Sequence, residues 1–331
     1  MATAVFVGLA TLDIAYAVRR YPAEDSKTQA EDQFLGAGGP AANAAVAYAF
    51  LSGRDPALIT ALGEHQLAQA IRRDLERFGV APVDVTPAGT QRPPVSSIVV
   101  ATESGTRTIV SLDGSRVSAP FDPGALESLH DAAVVLVDGH YPETALGFAA
   151  AARESGITVV LDAGRWRSVH AELLPLVDVA ICSAAFAPPG TSGTPAEVFD
   201  DLHARGVHRV AITQGDKPIR YSEIASNHHP ARPDAESAQH AHTTPREQVR
   251  SPSERETEAA HVGEIAVPRT QAVDTLGAGD ILHGAFCHYY AAGQSFPDAL
   301  RAAAVVATAS CAYLGTREWM RHHPRPDQST R

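Results

Sequence analysis

A late segment of the chain, residues 273–286 (VDTLGAGDILHGAF), contains residue types suited to binding an anion and moving a proton. Gly277 and Gly279 flank Ala278, and glycines let backbone N–H groups turn toward a ligand without a Cβ clash. The apolar run that follows predicts a helix, whose N-terminus adds unpaired N–H groups and a positive dipole end that binds phosphate. Asp280 lies in the first turn, where it can accept a proton from a hydroxyl. The alternative is a glycine turn in which Asp280 only caps the helix.

The glycine-rich segment at residues 36–43 (GAGGPAAN) is a second place where a ligand can approach the backbone. It matches the G-x-G-x-x-A dinucleotide fingerprint, but that loop should directly follow the first buried strand, which is predicted at 4–9. The preferred interpretation is a turn around Gly39 that admits a polyhydroxylated ligand, with Asn43 supplying a donor and an acceptor. No G-x-x-x-x-G-K-[ST] sequence occurs, which excludes a P-loop enzyme.

Asp13 is predicted just past the carboxyl end of that first strand. Ligands of open α/β sheets gather at strand carboxyl ends, and a carboxylate there can accept two hydrogen bonds from sugar hydroxyls. The alternative is a solvated turn residue.

Unbroken apolar runs predict a parallel sheet covered by helices on both faces, because strands buried on both sides lack polar alternation. Strands are predicted at 4–9, 57–62, 133–138, 157–162, 177–182 and 208–213, and helices at 40–51, 65–78, 143–154, 195–205, 279–292 and 297–312. The runs 95–101 and 106–112 predict a hairpin, and 14–19 with 27–35 a second short pair. Two hairpins beside a parallel sheet indicate a small β lid.

Residues 225–261 are rich in Pro, Ser, Glu, Arg and His, with Val249 as the one large aliphatic side chain. Such a segment buries too little apolar surface to offset its ordering entropy, which predicts a disordered insertion. His240 and His242 are candidate metal ligands, but no Cys or carboxylate pattern accompanies them, and a solvated loop is preferred. The tail at 317–331 is predicted to be flexible.

The composition excludes several classes of protein. Lys and Arg total 27 against 38 Asp and Glu, a net charge of −11, which argues against nucleic-acid binding. No apolar run approaches the roughly 20 residues that span a bilayer, so no membrane partner is expected. The N-terminus has no basic stretch of the kind that opens a secretory signal, and three widely spaced cysteines suit a reducing cytoplasm.

Together, VDTLGAGD and the early GG-x-x-x-N resemble the ribokinase-like, phosphofructokinase-B type family of carbohydrate kinases over about residues 4–316, apart from 225–261. ESGTRTIVSLD and VDTLGAGD are most similar to the ketohexokinase branch, and GGPAANAAVAYA, ITVVLDAG and VAITQG also resemble bacterial kinases of sulfofructose and related sugars. The resemblance implies a three-layer α/β/α kinase domain over 1–316, with lid segments at about 14–35 and 94–113. It implies ATP-dependent phosphorylation of a monosaccharide hydroxyl.

The resemblance also implies residue roles. Asp280 would be the general base, and the anion hole for the γ-phosphate would be formed by Gly277, Ala278 and Gly279. Sugar hydroxyls would be held by Asp13, Gly39 and Asn43, and by Arg107 on the lid hairpin, which is otherwise an exposed strand residue. The nucleotide would lie beside Thr213, Gly215, Gly277 and Gly279. Asp274 matches a position near the K⁺ site of some members.

The cofactors implied are ATP, Mg²⁺ and, in some members, K⁺, and the implied assembly is a homodimer paired through the lid. The chain departs from the family where many members have N-x-x-E, because Ser183 and Phe186 replace the Asn and the Glu. Pro40 replaces a polar sugar contact of ketohexokinases, and Lys217-Pro218 replaces a glycine-containing turn near the nucleotide. Asp138 and His140 are further candidate sugar contacts.

Two alternatives to a sugar kinase remain open. A nucleoside kinase of the same fold would favour an aromatic platform near the lid, for which the candidates are Tyr16, Tyr21 and Phe34. A catalytically idle sugar-binding regulatory protein is favoured by the missing N-x-x-E motif and opposed by the intact GAGD sequence.

Overall fold

A nine-stranded main sheet forms the centre of the computed structural model, which describes residues 3–87, 91–224 and 260–323. Its strands are β1 Thr3–Val7, β4 Ala57–Thr60, β5 Ala81–Asp84, β8 Ala132–Val137, β9 Thr158–Ala163, β10 Val179–Ser183, β11 Arg209–Gln214, β12 Lys217–Glu223 and β13 His261–Ile265. They lie in the order β13-β12-β11-β10-β9-β8-β1-β4-β5. In this order, every neighbouring pair between β11 and β5 is parallel. Strands β12 and β13 are added at the β11 edge by antiparallel pairing.

Helices cover both faces of this sheet and make three layers. They are α1 Pro40–Ser52, α2 Gln66–Arg77, α3 Pro142–Glu154, α4 His170–Leu173, α5 Pro195–Ala204, α6 Ala278–Ala291 and α7 Phe296–Ser310. Side chains alternate along each strand, so Phe6 joins the core beneath α1, α6 and α7, whereas Val5 and Val7 join the core beneath α3 and α5. The predicted α/β fold with a mostly parallel sheet is confirmed.

A separate four-stranded sheet forms the lid, from β2 Thr11–Val18, β3 Asp32–Gly38, β6 Val95–Ala101 and β7 Thr106–Ser111 in the order β3-β2-β6-β7. Strands β2–β3 and β6–β7 are antiparallel pairs, and β2 runs parallel to β6. The inner face packs Ala15, Ile98 and Val100 against Leu276, which lies within the VDTLGAGD segment. The lid and that segment therefore form one packing unit.

Several local predictions need correction. Asp13 is predicted to follow the first strand but lies inside β2, and GAG of the early glycine segment belongs to β3, so the turn begins only at Gly39. Lys217 and Pro218 begin β12 and do not form the turn, which lies at residues 215–216. The sequence prediction also missed β5 and β12, because each is short or interrupted by proline and lacks an apolar run.

The predicted ends of the domain also shift. Of the expected insertion at 225–261, residues 225–259 lie outside the described residues, but His261 begins β13. The prediction of a flexible tail is wrong for its first residues, since a 3₁₀ helix spans Glu318–Arg321 and the Trp319 ring packs 5.1 Å from Phe50. Residues 324–331 lie outside the described part. Within that part, none of the helices has the length and apolar character needed to cross a membrane.

Candidate active site

Two helix N-termini meet at the carboxyl edge of the main sheet and position the central side chains. Helix α6 begins after Gly277 and carries Asp280 in its first turn, and α1 begins after Gly39 and carries Asn43. The helices approach closely because Gly284 has no side chain; a Cβ there would lie 2.1 Å from the carbonyl oxygen of Ala44. This packing brings residues from opposite ends of the chain together.

Asp280, Asn43 and Arg317 form a hydrogen-bonded chain. Asn43 Nδ2 donates to Asp280 Oδ2 at 2.8 Å, and Arg317 Nη1 donates to Asn43 Oδ1 at 3.0 Å. The second carboxylate oxygen, Asp280 Oδ1, accepts no hydrogen bond from any residue that the structure describes. Asp280 is half-buried, so this oxygen is available to a bound ligand.

Asp13 lies on the inner face of the lid sheet and is almost fully buried. Its Oδ1 accepts a 2.5 Å hydrogen bond from Thr11 Oγ1, and a Cβ at Gly38 would lie 1.9 Å from its Oδ2. Burial raises the pKa of Asp13 above its ordinary value, hydrogen bonds from Thr11 and Ser96 lower it, and the charge of Asp280 raises it further. The electrostatic interaction with Asp280 places the two carboxylates in one site.

The loop before α6 has the properties expected of an anion hole. Gly277 adopts a left-handed conformation (φ +69°), which turns the chain into the helix. The N–H groups of Gly279 and Asp280 have no backbone partner among the described residues, and a Cβ at Gly279 would meet nothing within 4 Å. The Ala278 N–H donates to the carbonyl oxygen of Thr275 at 3.3 Å, so the unpaired donors at the start of α6 are those of Gly279 and Asp280.

Asp274 ties this loop to the segment after α7. Its Oδ1 accepts from the Leu276 N–H at 2.8 Å and its Oδ2 from the Gly315 N–H at 2.9 Å. Both carboxylate oxygens of Asp274, the predicted cation ligand, therefore accept backbone hydrogen bonds. These two bonds join the loop before α6 to the segment after α7 and position Thr316 and Arg317 next to Asn43.

A buried acid–base pair lies directly beneath the site. Asp162 is at the end of β9, and its Oδ2 lies 3.4 Å from Nδ1 of His283, which is one turn along α6. Burial raises the pKa of Asp162; His283 opposes the shift, and the charges of Asp280 and Asp138 reinforce it. The His283 ring also contacts the carbonyl oxygen of Gly279 at 2.7 Å, which braces the anion loop from below.

The two further candidate sugar contacts are engaged elsewhere. Asp138 accepts hydrogen bonds from the backbone N–H groups of Leu9 and Ala41, so it caps the N-terminus of α1. Its Oδ1 also lies 3.2 Å from His140 Nδ1, in an ion pair whose geometry is not aligned for a hydrogen bond. His140 Nε2 lies 2.8 Å from Asp113, in the segment after β7. Although burial lowers the pKa of His140, the charges of Asp138 and Asp113 prevail and raise it to about 10.

The remaining predicted site residues lie near this group without joining it. Arg107, exposed on β7, donates from Nη1 to Thr275 Oγ1 at 2.5 Å, so it meets the anion loop and not the Asp13–Asn43 pair. Thr213 Oγ1 donates to the carbonyl oxygen of Cys182 at 3.3 Å, and Gly215 forms the left-handed turn after β11. Both lie at the carboxyl end of β11, two strands from β9 in the sheet.

The residues present do not fit a Mg²⁺ ion held by the protein. Phe186, where the resemblance implies a Glu, is buried and packs against the rings of Trp166 and His170. In residues 3–87, 91–224 and 260–323, no three His, Cys, Asp or Glu side chains group closely enough to hold a metal ion. The groups that the chain itself brings to the chemistry are therefore the carboxylates and the backbone N–H donors of the anion loop.

Sequence reasoning missed Arg317, Asp162, His283 and the hydroxyl donors to Asp13. Arg317 begins a segment expected to be a tail, which also contains Arg321, Arg325 and Arg331, so neither its residue type nor its position distinguishes it. His283 lies four residues after Gly279, so the two residues share one face of α6. This spacing was the one sequence signal that could have placed the His283 ring next to the anion loop.

Comparison with known proteins gives consistent matches along the chain. The pfkB family carbohydrate kinase family matches residues 1–252 and 256–322. A ribokinase from Arabidopsis thaliana is 25% identical over an alignment covering 92% of this chain and 74% of that protein. A deoxyribokinase from Salmonella typhi is 23% identical, with 94% and 93% covered. The solved structure of Arabidopsis thaliana ribokinase complexed with ribose and ATP has a TM-score of 0.68 at 21% identity, covering 98% of this chain and 96% of that chain.

Proposed function

The chain belongs to the pfkB family of carbohydrate kinases, and we propose that it transfers the γ-phosphoryl group of ATP to a hydroxyl of a monosaccharide, a ketose or a related sugar. One observation carries the proposal. Asp280 presents a single free carboxylate oxygen beside unpaired N–H groups at the start of α6. A proton acceptor and an anion hole at one point are what phosphoryl transfer to an alcohol needs.

The proposed mechanism assigns Asp280 as the general base. The sugar lies between Asp13 and Asn43 with its reacting hydroxyl directed at Asp280 Oδ1. Asp280 takes the hydroxyl proton as the sugar oxygen bonds to the γ-phosphorus, while the bond from that phosphorus to the β–γ bridging oxygen breaks and ADP leaves. The γ-phosphate lies over Gly277, Ala278 and Gly279, where the helix dipole and the unpaired N–H groups of Gly279 and Asp280 stabilise charge on its equatorial oxygens. Phosphoryl transfer needs mainly in-line positioning and charge neutralisation, so no covalent intermediate is required.

The lid and the ions belong to the same proposal. The contact of Arg107 with Thr275 holds the lid against the anion loop, where it excludes water and limits ATP hydrolysis. Mg²⁺ enters as part of the substrate MgATP, since the described residues offer no cluster for it. Asp274 matches a position near the K⁺ site of some family members, and a comparison of turnover in K⁺ and Na⁺ buffers tests whether K⁺ is a cofactor here.

ATP consumption across a panel of acceptors tests the proposed function. The panel contains ketohexoses, ribose, deoxyribose and nucleosides, and Asp280→Asn protein is the control for contaminating kinases. We expect turnover with at least one monosaccharide that exceeds turnover with any nucleoside. Turnover with nucleosides alone identifies a nucleoside kinase. Sugar binding by calorimetry without ATP consumption contradicts the kinase proposal and supports a regulatory protein.

We further propose a homodimer paired through the lid. The outer face of the lid sheet is apolar and open, with Leu35 60% and Val110 70% exposed on the same row of the four strands. Strand β7 is also an edge strand of the lid sheet, paired with β6 on one side only among the described strands, and all of its residues are exposed. Open apolar faces and free edges favour pairing with another chain, and a second copy provides an identical edge and face.

A further inference from the structure

Arg317 is buried in the site, and no carboxylate of the described residues lies within hydrogen-bonding distance of its guanidinium. Only 8% of the residue is exposed, and Nη2 lies 3.7 Å from Asp74 Oδ2, beyond hydrogen-bonding distance. Its short contacts are to uncharged acceptors, namely Asn43 Oδ1 at 3.0 Å, Thr316 Oγ1 at 2.8 Å and the carbonyl oxygen of Ala37 at 2.8 Å. Burying a guanidinium whose hydrogen bonds go to neutral acceptors is costly even with carboxylates nearby, so the position calls for an explanation.

The guanidinium determines which way the Asn43 amide faces. Arginine has five N–H donors and no acceptor, so the amide must turn its oxygen toward Arg317. The amide nitrogen then faces Asp280 and donates to Oδ2. The flipped amide would set its NH₂ group against the guanidinium and its oxygen against the carboxylate, which are two repulsive contacts in place of two hydrogen bonds.

We propose that Arg317 is a positioning residue for phosphoryl transfer, which acts through the Asn43 amide to hold Asp280 Oδ2 and leave Oδ1 as the proton acceptor. This inference rests on the proposed role of Asp280 as the base. Without Arg317 the amide can flip and the carboxylate can rotate, so the free oxygen no longer has a fixed position. Supporting hydrogen bonds of this kind keep a catalytic group within the narrow range of productive geometry.

A double-mutant cycle tests whether Arg317 acts through Asn43. Arg317→Met keeps the apolar stem and removes the donors, and Asn43→Ala removes the amide. We expect Arg317→Met to lower kcat by roughly 10- to 100-fold with a smaller change in KM. The double variant should lose no more than Asn43→Ala alone, because Arg317 has no route to Asp280 once the amide is gone. Arg321→Met, an exposed arginine one turn further on, is the matched control and should keep wild-type kcat.

Two readouts separate positioning from a structural role. Arg317→Lys, which keeps charge and donors, should recover part of kcat. The ¹⁵N side-chain amide signal of Asn43 should be sharp and slow to exchange in the wild type and lose this protection in Arg317→Met, a measurement that needs no turnover.

Additive losses in the cycle, or an unchanged Asn43 amide signal in Arg317→Met, overturn the inference. A lowered melting temperature with unchanged kcat overturns it as well. The proposed function fails separately, through wild-type turnover in Asp280→Asn. If Asp280→Asn loses activity while the cycle is additive, the base assignment holds and Arg317 only supports the fold.

Discussion

Asp13 and Asp280 bring two carboxylates into one small site, and their surroundings differ. Asp13 is 4% exposed, one of its oxygens accepts from Thr11, and burial raises its pKa. Asp280 is half-buried, has one oxygen hydrogen-bonded to Asn43, and has a second oxygen that accepts no hydrogen bond from the described residues. A fixed acceptor suits holding a sugar hydroxyl, whereas an accessible oxygen beside a phosphate site suits proton removal.

At the residue scale, Asp280→Asn should lower kcat by about 10²- to 10⁴-fold, the usual contribution of a general base. Sugar affinity should largely survive, because the amide keeps the volume and the contact to Asn43. Steady-state kinetics with calorimetric sugar binding measures both. Asp32→Asn, at an exposed strand start, is the matched control. Wild-type turnover in Asp280→Asn would refute the assigned role.

His140 gives a prediction about pH and stability. Its pKa is raised from 6.5 to about 10, so between these values the folded chain keeps a proton that the unfolded chain has lost. The His140 contribution to the free energy of unfolding is complete below about pH 6.5, falls as the pH rises, and is gone above about pH 10. Removing the ring should therefore flatten the fall in stability over this range.

Urea denaturation of His140→Gln and wild type at pH 6, 7.5 and 9 measures that difference. The variant should be less stable at pH 6, and the gap should narrow as the pH rises. His130→Gln, which removes a ring that is 88% exposed, is the control for changes in global charge. Parallel curves for wild type and His140→Gln would show that the ion pairs with Asp138 and Asp113 do not hold this proton.

At the element scale, the crossing of α1 and α6 sets the distance between Asn43 and Asp280. Gly284→Ala places a methyl group 2.1 Å from the carbonyl oxygen of Ala44, and backbone cannot yield as a side chain can. The helices must separate, which should cost about 1–3 kcal/mol of unfolding free energy. Because the Asn43–Asp280 hydrogen bond lies at this crossing, kcat should fall as well.

Gly164→Ala is the control for this substitution, since its Cβ would meet nothing within 4 Å. Urea denaturation and kcat are measured for both variants. Unchanged kcat in a destabilised Gly284→Ala protein would mean that the catalytic side chains tolerate a wider crossing than the structure implies.

Elements with a strong local signal were predictable, and elements fixed by distant partners were not. The apolar periodicity and the glycine loop located α6, and unbroken apolar runs located β8 and β9. The parallel pairing of β2 with β6 joins segments about 80 residues apart, which no local pattern encodes. The sequence identified Asp13 as a candidate sugar-binding residue but did not place it in a strand, because the residues around it are as compatible with a turn as with a strand of the lid.

At the scale of the whole molecule, the net charge of −11 opposes the approach of an anionic nucleotide. Attraction must therefore be local, from the N-terminus of α6, from Mg²⁺ carried by ATP, and from cations near the loop such as Arg107. Raising ionic strength screens the repulsion and the local attraction together, so salt dependence alone does not separate them.

The assembly gives the last prediction. Val110→Glu puts a charge on the exposed outer face of the lid, on its edge strand β7, where pairing with a second copy would bury it without a partner. The dimer should weaken by more than about tenfold in Kd, which corresponds to about 1.4 kcal/mol. Sedimentation velocity across a concentration series measures the change. Val305→Glu, on an exposed position of α7 away from the lid, should leave the dimer intact. A wild-type chain that stays monomeric at tens of micromolar would contradict the proposed dimer. A Val110→Glu chain that still dimerises would show that the chains do not pair through the outer face of the lid.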